Sequence, residues 1–98
     1  MSLPVVLRDE AQAEFDETFD RYEEKRLGLG VTFLRRVEEV FNRIGANPKL
    51  HPIVFADIRK AVVGSFPYCV YYRAETTRVE VIAVFHTSRD PGIWKERA

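Results

Sequence analysis

A chain of 98 residues makes one small domain, long enough to bury about two thirds of its unfolded surface around a single core. With 46% hydrophobic and 31% charged residues it has the balance of a soluble globular protein, and no apolar run approaches the ~18 residues of a membrane span. Its net charge of zero excludes the strong basic excess with which dedicated nucleic-acid binders neutralise phosphates.

The neutrality conceals an uneven distribution. Residues 1–30 carry a balance of −4, and residues 31–50 and 51–98 carry +2 each. A local basic patch on the C-terminal half therefore stays open. The segment Met1 to Leu7 lacks the basic start and long apolar stretch of a secretory signal. Cys69 is the one cysteine, so neither an internal disulfide nor a thiolate metal cluster is available. These features predict a cytoplasmic protein, with one domain over residues 1–98 and no cofactor.

Pro4-Val5-Val6-Leu7 reads as a short edge strand, where proline costs no ladder bond. The stretch "DEAQAEFDETFDRYEEKR" reads as a helix, with Asp9 as its cap and Gln12 as the capping-box partner. Its apolar stripe is Ala11, Phe15, Phe19 and Tyr22, and the remainder is acidic. Gly28 and Gly30 punctuate the chain before a second helix that presents Phe33, Val37, Val40, Phe41 and Ile44 on one side. Gly45 and Asn47-Pro48 are expected to end it. The short link makes the two helices an antiparallel hairpin.

The periodicity then changes. Ile58 to Val63, Tyr68 to Arg73 and Val79 to His86 read as strands, separated by turns at Gly64-Ser65 and at "AETT". Val81 to Phe85 is uninterruptedly apolar, as in an interior strand covered on both faces. The predicted fold is α+β in the order β-α-α-β-β-β, a small antiparallel sheet packed against an N-terminal antiparallel helical hairpin.

The residues with chemical potential gather at the end, in "FHTSRDPGIW". Asp90-Pro91 is a helix start, and Trp94 falls where a short last turn packs back on the sheet. His86 is either a hydrogen-bonded strand-end histidine or a group for proton transfer or base stacking. Arg89 has no helical partner and suits a phosphate or carboxylate contact. Arg59 and Lys60 interrupt an apolar strand and point to opposite faces. If the Gly64 turn pairs Val63 with Tyr68, Arg59 stands opposite Tyr72, roughly 16 Å from His86, too far for one catalytic centre. Alternation puts Tyr68, Val70 and Tyr72 on one face and Cys69, Tyr71 and Arg73 on the other. Cys69 reads as a small buried hydrophobe, and His51 as an incidental loop residue. No phosphate loop, metal-ligand spacing or Ser-His-Asp arrangement is present in the sequence.

The stretches "RKAVVGSFPYCVYYR" and "VIAVFHTSRDPGIW", together with the element order, resemble the RelE/ParE superfamily of bacterial toxins in its plasmid-stabilisation branch. The resemblance implies a toxin–antitoxin module in which a cognate antitoxin wraps and neutralises this chain, as a homodimer or as a heterotetramer with the antitoxin. RelE-like relatives are ribosome-dependent mRNA endonucleases. Against their basic set, Arg59 matches one lysine position, Ala61 stands at the next, and Tyr68 stands where an arginine is frequent. His86 and Arg89 would be the catalytic pair of such a metal-independent nuclease. ParE-like relatives inhibit DNA gyrase and need no catalytic centre. The departures from the nuclease set favour that second class, with Arg59, Arg73, Arg89 and Trp94 as the target-binding residues. A degenerate member that binds antitoxin without toxicity is a third reading.

Overall fold

The computed structural model describes residues 2–98. Strand β1 (Val5–Leu7) leads into helices α1 (Asp9–Lys25) and α2 (Leu29–Ala46). Strands β2 (Ile53–Phe55), β3 (Ile58–Val62), β4 (Tyr68–Ala74) and β5 (Val79–His86) follow, and helix α3 (Gly92–Lys95) closes the chain. The α+β reading and its element order hold, with β2 and α3 as additions. β2 is three residues long with every side chain exposed, too short for an alternation to register.

The five strands lie in the order β1-β5-β4-β3-β2. β1 runs parallel to β5, and every other pairing is antiparallel. The predicted turn register is present: the Val63 N–H donates to the Tyr68 carbonyl, and Arg59 stands opposite Tyr72. β5 is flanked by strands on both sides only through Val81. Most of its apolar run, Val81 to Phe85, is therefore covered on both faces as expected but runs along an open edge. A bulge near Tyr71/Tyr72 in the β4–β5 ladder pairs Tyr71 with Ala83 and Tyr72 with Val81, leaving Ile82 unmatched. That extra residue explains how Val81 and Val84 both reach the core beneath the helices, while Ile82, Ala83 and Phe85 pack on the opposite face.

The sheet is therefore covered twice. On the inner face Tyr68, Val70 and Tyr72 meet Phe33, Val37, Val40 and Ile44 of α2. On the outer face Trp94 of α3 stacks on Tyr71, with ring centroids 4.1 Å apart. At the start of α3 the Asp90 carboxylate accepts the Gly92 N–H at 2.9 Å, although Pro91 rather than Asp90 takes the cap position.

Three local expectations are corrected. Asp9 does not cap α1: Arg8 occupies the cap position without a side-chain bond, and Asp9 sits in the first turn, where its charge suits the helix dipole. α2 ends at Ala46 with Asn47 at the cap position, as Asn47-Pro48 predicts, but Gly45 lies in its last turn, where a Cβ would stand 2.9 Å from the Leu3 carbonyl oxygen and push away the N-terminal segment. The apolar stripe of α1 packs on the core through Ala11, Phe15 and Tyr22 as expected, but Phe19 is left out of it and Thr18 is the buried residue in its place.

Glycine also brings the hairpin together. A Cβ on Gly30 would meet the Phe19 carbonyl oxygen and the Glu23 Cγ at 2.6 Å. The α2 cap, Gly28, has φ +91° and no side chain to offer. Glu23 of α1 supplies the missing acceptor, taking the N–H groups of Gly28 and Val31 at 3.1 Å. These bonds hold its carboxyl below the ordinary glutamate range, the Gly28 bond contributing most.

Candidate functional site

β1 covers β5 only through Val81. The Arg8 N–H takes the Val81 carbonyl, and the edge of β5 beyond that point has no strand beside it. Two side chains stand in for one. Glu14 of α1 accepts the Val84 N–H at 3.2 Å, and Arg97 donates to the Ile82 carbonyl at 3.1 Å. Glu14 and Arg97 then join through two bonds of 3.0 Å. The arrangement satisfies an interior edge that would otherwise leave buried backbone groups unpaired.

Beside this junction lies a groove of 460 Å³ between α1 and the far ends of β4 and β5, lined by Thr18, Arg21, Lys25, Tyr68, His86 and Arg89 among others. Tyr68 is its floor. The Tyr68 hydroxyl accepts from Arg21 at 2.9 Å and lies 3.4 Å from the Thr18 hydroxyl, which explains why a polar residue is buried on α1. His86, paired with Tyr68 across the ladder, sets its ring edge-on to the tyrosine at 5.1 Å between centroids. The Ser88 N–H donates to His86 Nδ1 at 3.0 Å. That bond makes Nδ1 the acceptor, so the neutral ring carries its proton on Nε2. A neutral His86 then offers a donor at Nε2 rather than a base.

Arg89 follows at the corner, its N–H bonded to the His86 carbonyl at 3.2 Å. Its guanidinium lies 4.2 Å over the Phe85 ring and 3.3 Å from the Glu14 carboxylate, with nearly half of the side chain exposed. A cation held against an aromatic face and still open to solvent is preorganised to receive an acidic or phosphate group.

The other expected residues lie elsewhere. Arg59 is four ladder positions from His86, ~13 Å along the sheet. It donates to the carbonyls of His51 at 2.6 Å and Lys49 at 3.3 Å, bracing the loop after α2. His51 has a structural place in that loop, edge-on to the Tyr72 ring, and burial followed by the nearby Arg43 charge lowers its pKa. Arg73 stands on the outer face between Asp57 at 2.8 Å and Glu80 at 3.0 Å. Trp94 is 3% exposed, so packing rather than contact with a target occupies it. Cys69 is buried, which raises its thiol pKa and keeps it protonated.

Arg21, Glu14, Thr18 and Arg97 were not expected at the site. The signal for three of them was present: Glu14, Thr18, Arg21 and Lys25 follow a four-three-four spacing, a polar stripe beside the aromatic one. Arg97 carries no such pattern. Among the described residues, no cluster of three or more His, Cys, Asp or Glu side chains could hold a metal ion.

The family model of the ParE toxin of the type II toxin–antitoxin system parDE matches residues 5–91. The chain belongs to the ParE toxin family. The match runs from β1 through Arg89 and Pro91, so it includes the His86–Arg89 corner. In overall shape this ParE-family chain is similar to one in a solved structure described as the chromosomal ParDE TA system from P. aeruginosa. The TM-score is 0.75 at 11% identity, covering 87% of this chain and 96% of that one. At that identity the likeness speaks for the fold. No curated protein matches the sequence. No described helix is long and apolar enough to cross a membrane.

Proposed function

We propose that this ParE-family toxin acts in the cytoplasm, is held inactive by a cognate antitoxin, and arrests growth by binding DNA gyrase through the corner formed by His86 and Arg89. The observation that carries this reading is that the strand arginines expected to support a nuclease centre lie away from the His86–Arg89 corner. Arg59 and Arg73 are engaged within the fold at the far end of the sheet, while Arg89 stands exposed beside His86 in a groove whose other cations, Arg21 and Lys25, belong to α1. RNA cleavage by general acid–base chemistry needs several such groups around one phosphate. A binding toxin needs one anchored cation and a shaped surface. His86, with Nδ1 occupied and Nε2 as a donor, fits a hydrogen-bonding contact to an acceptor on the target. Trp94 and Arg73 contribute indirectly, by fixing the outer face on which α3 rests.

The direct test is supercoiling by purified gyrase with this chain added. Inhibition by the wild type, relieved in Arg89→Ala that still binds antitoxin, is the expected outcome. Undiminished supercoiling with soluble wild-type chain removes gyrase as the target.

A further inference from the structure

Most of the large hydrophobic side chains left exposed among the described residues gather at the margin opposite β1. They are Leu50, Ile53, Val54, Phe55, Val62 and Ile93, with Val62 62% and Ile53 53% exposed. β2 is the edge of the sheet there, and Ile53-Val54-Phe55 carries neither charge nor proline to blunt it. The Lys60 N–H donates to the Pro52 carbonyl at 3.1 Å, and Ile53 is paired with Arg59. Ile53 therefore occupies a non-hydrogen-bonded position of the β2–β3 ladder, and its own N–H and carbonyl point to the open side. An apolar edge with free backbone groups is a template for one more strand.

The charges beside it choose the occupant. Lys49, Lys60 and Lys95 flank the strand, and none forms an ion pair with the described residues. The Lys95 ammonium lies 5.2 Å over the Phe55 ring. The neighbouring acid, Asp57, is already bonded to Arg73. A second copy of this chain, joined edge to edge, would bring lysines against lysines. We propose that β2 is a docking edge for an extended segment of a partner protein that alternates apolar and acidic side chains, added as a sixth strand. This edge lies three strands from His86 and does not depend on the gyrase reading.

The test uses a fluorescent peptide alternating valine and glutamate, titrated with the full chain. Saturable binding is expected, weakened at least about tenfold by Ile53→Pro, which removes the outward N–H and spares the ladder to β3. The double change Lys60→Glu, Lys95→Glu should lose the glutamate peptide and gain its lysine counterpart. It decides the matter should Ile53→Pro fail to fold. Absence of saturable binding, or equal affinity for both peptides, overturns the proposal. A dimer in sedimentation that excludes the peptide also overturns it, and assigns the edge to a second copy.

Discussion

Arg97 grips Glu14 through two parallel bonds of 3.0 Å, joining the turn after α3 to the first helix across 83 positions of sequence. The Glu14 and Arg97 side chains are 10% and 13% exposed, so the pair is nearly dry and all its donors matter. Removing Arg97 leaves the Ile82 carbonyl without that donor and takes two bonds from the Glu14 carboxylate. Arg97→Ala should cost about 1.5–3 kcal/mol, the range of hydrogen bonds to charged groups, read as a lowered urea midpoint. A change within ~0.5 kcal/mol would show that solvent satisfies both groups.

Arg89 also touches Glu14, yet its loss should be mild. Its side chain is exposed and its contact longer, so Arg89→Ala should cost less than about 1 kcal/mol. The same unfolding experiment distinguishes the two arginines. A large loss from Arg89→Ala would mean that it supports the fold and has no freedom to serve a target.

The helical hairpin depends on Gly30. Because a Cβ there stands 2.6 Å from a backbone oxygen of α1, Gly30→Ala must move one helix off the other. The expected loss is about 1–3 kcal/mol despite the better helix propensity of alanine. A stabilised variant would show that the helices have room to part.

Glu23 makes the hairpin sensitive to acid. Its carboxyl is held below the ordinary glutamate value, chiefly by the Gly28 N–H, so it contributes stability above the ordinary glutamate range. That contribution is lost as pH falls through the lowered folded-state pKa. Melting curves of wild type and Glu23→Gln should separate at neutral pH and converge in acid. Parallel curves at every pH would remove Glu23 as the cap of α2.

Much of this fold is legible in the residues, and the reasons are local. The pairing of Arg59 with Tyr72 follows from one turn and the two-residue period of a strand. The doubly covered strand follows from five consecutive apolar residues, Val81 to Phe85. The site was less legible. The Tyr68–Arg21 bond and the Glu14–Arg97 pair connect segments far apart in sequence, and each partner alone reads as an ordinary surface charge or core aromatic. Trp94 shows the converse: a residue type common at binding surfaces is here the cover of Tyr71. Burial decides between those roles, and burial is a property of the assembled layers.

The central claim is that the His86–Arg89 corner arrests growth through DNA topology. Its most direct test is pulse labelling of DNA and protein synthesis within minutes of inducing this chain without antitoxin, beside Arg89→Ala. The account predicts that thymidine incorporation falls first while amino-acid incorporation continues, and that Arg89→Ala abolishes the fall. Early collapse of amino-acid incorporation, or full arrest by the Arg89 variant, would contradict it.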